Sequence, residues 1–243
     1  MSGHSKWANI KRKKEITDGA KAKVFTRMAK EIAIAVREGG PDPNSNFKLY
    51  TIIGKAKANN VPNDNIERAI KKAAGAGEKE TYEVIMYEGY GASGVAFMVE
   101  CMTDNRNRTA GDLRHFFDKF GGNLGQSGCV SYMFERKGVI VIEAEGLDEA
   151  TVMDDCIECG AADFTLQDDI YEISTDPNEV DAVAEALRKK GYHLTSDEVE
   201  YIPSTYVSVE DPDMKTKLER FIETLEECDD VSNYWHNMEE DDE

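Results

Sequence analysis

The sequence predicts an α+β protein of three domains, an N-terminal helical bundle followed by two α+β domains, one of them ferredoxin-like (β-α-β-β-α-β) and inserted into the other. Three observations predict it. Up to about residue 75, apolar residues recur three and four apart, the period of helices packed on one another. Beyond residue 77 the chain changes to short β-branched and aromatic runs alternating with amphipathic stretches. At 243 residues and 40% hydrophobic content it can bury sizeable cores but is long for a single one.

The first helix is expected over residues 17–39, where Asp18 can cap and Val24, Phe25, Met28, Ile32, Ala35 and Val36 form a stripe. Lys21, Lys23, Arg27 and Lys30 crowd its remaining surface. A Gly39-Gly40-Pro41-Asp42-Pro43 turn follows, and Phe47, Tyr50, Ile53 and Ala56 recur at helical spacing to give a second helix ending near Asn59-Asn60. Pro62 opens a third with Ile66, Ala69, Ile70 and Ala73 inward, Arg68, Lys71 and Lys72 outward, and Gly75-Ala76-Gly77 as its stop. Together with a basic arm ahead of it, this bundle makes a domain of residues 1–79.

Strands are expected at 82–88 and 95–101, a helix at 106–120 and a strand at 130–135, a set that lacks a closing helix and strand. From residue 139 the order is strand (139–144), helix (148–159), strands (163–167 and 170–174), helix (177–190) and strand (198–202), the ferredoxin-like succession. The C-terminal stretch supplies the missing pieces: a helix at 211–227 with Leu218, Phe221, Ile222 and Leu225 inward, then an extended segment at 230–235. A discontinuous domain of residues 80–136 plus 204–238 therefore surrounds an insertion of 137–203, and 239–243 form an acidic tail.

Charge is divided by position. Residues 1–79 hold 17 Lys/Arg against 8 Asp/Glu, a net of +9, whereas the rest hold 12 against 40, a net of −28. A polyanionic partner is expected to meet the N-terminal segment and to be repelled by the remainder, so that contact is confined to one face. No apolar run approaches the roughly 20 residues that span a bilayer, and the basic N-terminal stretch has no apolar core of a signal peptide. No membrane partner and a cytoplasmic location are expected. Five scattered cysteines, an odd number, fit reduced thiols better than a disulfide framework.

Gly89-Tyr90-Gly91-Ala92-Ser93-Gly94 matches G-x-G-x-x-G after a predicted strand, but Val95 to Glu100 is β-like, so no helix N-terminus would face a pyrophosphate. The glycines read as a strand-to-strand turn. Cys156-Ile157-Glu158-Cys159 lacks a second pair of ligands at zinc spacing. His4, His115, His193 and His236 are isolated from one another, and Asp154-Asp155 and Asp168-Asp169 fit solvated surface in so acidic a chain. No cofactor, metal site or catalytic residue is expected.

The basic arm differs in kind. Lys11-Arg12-Lys13-Lys14 follow Lys6 and Trp7 and precede Lys21, Lys23 and Arg27, a cation density with an aromatic able to stack on a base. His4 and Ser5 belong to the same candidate nucleic-acid-binding segment. A second candidate anion site lies at Thr103-Asp104-Asn105-Arg106-Asn107-Arg108-Thr109, opening the helix that carries Arg114: helix-start N–H groups and arginines attract an anion. Alternatively Asp104 caps that helix and the arginines pair with nearby acids. An enzyme would gather Asp104, Arg106, Arg108 and His115 around an anionic substrate between domains. A protein-only adaptor would dock an acidic partner on the arm.

Gly3-His4-Ser5-Lys6-Trp7, Lys11-Arg12-Lys13, Asn63 to Lys72, Tyr87-Glu88-Gly89-Tyr90-Gly91, the segment from Thr103 to Thr109 and Gly121-Gly122-Asn123-Leu124-Gly125 together closely resemble the YebC/PmpR family over essentially the whole chain. Ala92 stands where that family commonly has proline, and Cys129 where a small residue such as serine is usual. The resemblance implies three domains and a cytoplasmic, DNA-binding transcriptional regulator. It equally implies a ribosome-associated translation factor that binds ribosomal RNA and relieves stalling on proline-rich nascent chains. No predicted helix has a helix-turn-helix layout with base-reading side chains at its N-terminus, which favours RNA bound by shape.

Overall fold

Seven α-helices and two four-stranded antiparallel sheets make up the described residues of the computed structural model, which are 18–75, 81–167 and 169–239. The basic arm from His4 to Lys14, the helix stop at Ala76-Gly77, the boundary at 79/80, Asp168 and nearly all of the acidic tail lie outside them. The chain divides into two units, Met1–Ser131 with Tyr206–Glu243, and Tyr132–Thr205.

The first unit opens with α1 (Asp18–Gly39), α2 (Phe47–Ala58) and α3 (Asn63–Gly75). Their core is Met28, Ile32, Ala35, Leu49, Ile52, Ala56, Val61 and Ile66. Asn46 joins the first two helices. Its Oδ1 accepts from Leu49 N at 3.1 Å as the N-cap of α2, while its Nδ2 donates to Ala35 O and Gly40 O, both at 2.8 Å. That docking sets the rotation of α2 and puts Leu49, Ile52 and Ala56 inside. Phe47 and Tyr50, which helped to mark the helix in the sequence, point into solvent at 66% and 58% exposure.

The same unit continues as β1 (Glu83–Tyr90), β2 (Ala96–Thr103), α4 (Arg106–Lys119), β3 (Asn123–Leu124), α7 (Pro212–Glu227) and β8 (Val231–His236). Its sheet order is β3-β1-β2-β8. The glycine-rich segment is the β1–β2 turn, a short 3-10 stretch at Ala92–Gly94 in which Ser93 and Gly94 take φ of 56° and 76°, and a strand follows it. Phe97, Phe117 and Phe221 meet edge to face at 4.7 to 6.3 Å between centroids, with Leu113, Leu218, Ile222 and Leu225 around them.

The strand expected at 130–135 is not part of this sheet. Its place beside β1 is taken by the two-residue β3, and residues 131–133 form a 3-10 turn. The Glu88 carboxylate accepts from Gly128 N, Val130 N and Ser131 N at 2.8, 2.9 and 2.8 Å, which withdraws those donors from any ladder.

The second unit holds β4 (Phe134–Glu143), α5 (Glu149–Glu158), β5 (Asp163–Gln167), β6 (Ile170–Thr175), α6 (Val180–Lys189) and β7 (Leu194–Pro203). The order β5-β6-β4-β7, antiparallel throughout, is that of a ferredoxin-like sheet. β4 pairs with β7 from Phe134↔Pro203 to Ile142↔Leu194, so the boundaries expected at 136/137 and 203/204 cut through or abut one continuous strand pair. Ser204 N donates to Met133 O at 2.8 Å, holding the entering and leaving segments together. Ile140, Ile142, Tyr171, Ile173, Val183 and Leu187 lie in its core. Among the described residues no helix is long and apolar enough to cross a membrane.

Candidate nucleic-acid interface

On α1, Lys23, Arg27 and Lys30 are spaced four and three apart and so share one face. That face is turned inward. Lys30, only 9% exposed, donates to Met102 O at 2.9 Å, Asp229 O at 2.7 Å and Asp230 Oδ1 at 3.1 Å, which uses all three ammonium protons. Its ammonium also lies 5.6 Å from the centre of the Tyr82 ring. The expectation that Lys30 crowds the solvent surface is therefore corrected. Arg27 donates to Asn233 Oδ1 at 3.5 Å and pairs with Glu31 at 3.4 Å. Lys23 Nζ is buried without a hydrogen-bond partner among the described residues, beside a cavity of about 30 Å³ lined also by Lys30 and Asp230. Such a space holds one water. The side chain of Lys21 is outside the described residues, as are His4, Ser5, Lys6, Trp7, Lys11, Arg12, Lys13 and Lys14.

The second candidate site resolves residue by residue. Asn105, not Asp104, caps α4: its Oδ1 accepts from Arg108 N at 3.1 Å. Arg108 donates through Nη2 to Asp104 at 3.0 Å and to Asp230 Oδ2 at 2.8 Å. Thr109 Oγ1 donates to the same oxygen at 2.8 Å. An anion is thus already present, and it is the chain's own. Burial raises the Asp230 carboxyl, but the bonds from Arg108, Thr109 and Lys30 outweigh it and hold the group below the usual carboxylate range. Arg106, Asn107 and Arg114 remain exposed on α4. His115 is exposed with its ring against Phe116, so Asp104, Arg106, Arg108 and His115 do not converge on a pocket.

A groove of about 360 Å³ runs between α1 and α3, lined by Lys30, Arg37, Lys72, Tyr82 and small or apolar side chains, with no carboxylate among its described lining residues. Arg37 and Lys72 stand exposed at its rim. Sequence reasoning missed this groove because its cations come from two separate helices, Lys30 and Arg37 from α1 and Lys72 from α3. It also missed Glu88, an acid within a mostly apolar and aromatic strand run.

Among the described residues no group of three or more His, Cys, Asp or Glu could hold a metal ion. The five cysteines form no disulfide, and Cys156 is buried on α5 with its thiol pushed up to about 11 by burial, then by Cys159 and Asp155.

The sequence model of the TACO1/YebC protein N-terminal domain matches residues 5–76, and that of the TACO1/YebC second and third domain matches residues 82–238. A "Probable transcriptional regulatory protein" of Ruminiclostridium cellulolyticum is 57% identical over 100% of this chain and 98% of its own. Another so named, of Caldicellulosiruptor bescii, is 54% identical over the full length of both. The crystal structure of the conserved hypothetical protein Aq1575 from Aquifex aeolicus has the same fold, with a TM-score of 0.83, 43% identity and 93% of each chain covered.

Proposed function

This chain belongs to the TACO1/YebC family, and from that membership we propose that it is a non-enzymatic regulator of gene expression that binds DNA through its basic N-terminal segment. The names of its relatives support regulation of transcription. The observation that carries the reading is the charge division, +9 over residues 1–79 against −28 over the rest. Phosphates are drawn to the first segment and driven from the second, and counterion release supplies the affinity. In this reading Lys6, Lys11, Arg12, Lys13, Lys14 and Lys21 neutralise phosphates, Trp7 stacks or wedges, and His4 and Ser5 hydrogen-bond the backbone. Lys23 and Arg27, turned toward β8, are not assigned phosphate contacts. The groove edged by Arg37 and Lys72 adds two described cations of the same segment.

Replacing Lys11, Arg12, Lys13 and Lys14 with alanine is expected to weaken binding to duplex DNA and to flatten its dependence on log salt by about 0.9 for each phosphate no longer neutralised. An unchanged affinity and slope would sink the assignment.

A second reading, ribosomal RNA as the target and translation as the process, is favoured by the exposed aromatic pair on α2, which suits unpaired bases better than a duplex. Sedimentation of the protein from lysate through a sucrose gradient, with and without RNase, separates the two. RNase-sensitive migration with ribosomes supports RNA; retention at the top of the gradient supports DNA.

A further inference from the structure

Phe47 and Tyr50 are two large aromatic rings held side by side in water, 6.4 Å between centroids and 24° between planes. Neither contributes to the helical core, which α2 serves with Leu49, Ile52 and Ala56. At 100° per residue Phe47, Tyr50, Gly54 and Lys57 share one outer face; Lys48 and Lys55 lie to one side of it, Lys48 paired with Glu38 at 2.7 Å. A Cβ added at Gly54 would meet nothing within 4 Å, so the surface beside the rings is open. α2 carries three lysines and no acid.

We infer that this face is a base-stacking platform and that the nucleic acid it takes is an unpaired strand. The inference rests on the reading above and narrows its ligand. Two near-parallel exposed rings, 6.4 Å apart, offer π-faces on which unstacked bases can lie, and Lys57 on the same face meets a connecting phosphate. A duplex keeps its base faces stacked and would have to be opened to use them. Charge decides against a generic apolar docking patch. The other exposed apolar helix residues, Met153 and Ile157 on α5, sit among Asp154, Asp155 and Glu158 and would repel a polyanion, whereas nothing on α2 does.

The test uses the full chain and fluorescence anisotropy with dye-labelled oligo(dT) and oligo(U) of about 20 nucleotides, a length that spans one stacking site and its flanks, and a hairpin duplex of equal length. Phe47→Ala with Tyr50→Ala is expected to raise Kd for at least one single strand by about tenfold or more. Duplex affinity and both salt slopes should stay as they were, because every cation that neutralises a phosphate is kept. Phe47→Trp with Tyr50→Trp should restore single-strand binding. Whichever of the two oligomers responds identifies DNA or RNA as the source of the strand. Wild-type affinity for both single strands in the alanine variant overturns the platform, as does an equal loss on the duplex. If the unmodified chain binds none of the three probes, the parent reading fails with it; binding that the double variant leaves intact removes the platform alone. Both rings are exposed, so an unchanged melting temperature should accompany the loss.

Discussion

Lys30 on α1 donates to Asp230, 200 residues further along the chain, at 3.1 Å in a setting where neither side chain is more than 12% exposed. The bond fastens the first described helix to the turn that precedes the last strand. Asp230 accepts from Arg108 and Thr109 through its second oxygen, so one carboxylate joins α1, α4 and β8. Asp230→Ala leaves a buried ammonium short of its counter-charge and is expected to lower the unfolding free energy by about 3 kcal/mol. Lys30→Met, which leaves Asp230 with Arg108 and Thr109, should cost less. Urea unfolding of both variants checks the order.

The two arginines of the Thr103 to Thr109 segment should separate by stability. Arg108→Ala removes a partner of Asp230 and is expected to destabilise, whereas Arg106→Ala and Arg114→Ala alter exposed side chains and should stay within about 0.5 kcal/mol of the parent. Thermal melts distinguish them without any ligand. If Arg108→Ala melts like the parent, the carboxylate does not hold α4.

Glu88 imposes a pH dependence. Burial raises its carboxyl, but the N–H bonds from Gly128, Val130 and Ser131 prevail and hold it below its ordinary value. The ionised form is therefore favoured in the fold. Its contribution is fully present above about pH 4.3, the unfolded value, and drains away as pH falls through the lower folded one. Glu88→Gln should be less stable than the parent at neutral pH, and the gap should narrow in acid. A gap that stays constant from neutral pH down to full protonation would contradict this.

Glycine at 122 is a matter of space. A Cβ there would stand 2.3 Å from Tyr90 O, a backbone atom that cannot swing aside, so Gly122→Ala should cost about 2 kcal/mol or more. Gly111 sits exposed inside α4 with nothing within 4 Å of an added Cβ. Gly111→Ala should stabilise by up to about 1 kcal/mol through helix propensity. Differential scanning calorimetry of the two reads opposite signs.

The parts of the fold that were legible in the sequence are those whose signal is local. β2 announced itself as an apolar run and α7 as a stripe of Leu218, Phe221, Ile222 and Leu225, all of which are buried. Errors arose where the deciding partner is distant in sequence. Phe47 and Tyr50 fit a helical period as well as Leu49 and Ile52 do, and only the docking of Asn46 onto α1 selects the second pair. Residues 130–135 look like one strand, yet Glu88 claims the N–H groups of Val130 and Ser131 and only Phe134 and Glu135 enter a strand, β4. Arg136-Lys137-Gly138 looks like a break, yet β4 runs through it because β7 pairs with every one of those residues. Of the candidate site, the charge division was plain, but which cations face inward was not. The burial of Lys30 depends on Asp229 and Asp230, which no window around residue 30 contains.

The pairing of β2 with β8 has a consequence for synthesis. β2 is almost wholly buried, and one of its edges is covered by residues 231–236, which leave the ribosome only after the entire second unit has been made. The second unit, whose strands all pair among themselves, can close first. Meanwhile the nascent host presents an uncovered apolar strand edge, the kind of surface on which chains aggregate or recruit chaperones. Premature termination ahead of Val231 would thus leave the apolar β2 edge uncovered for good, a far greater loss than the few residues of β8 suggest.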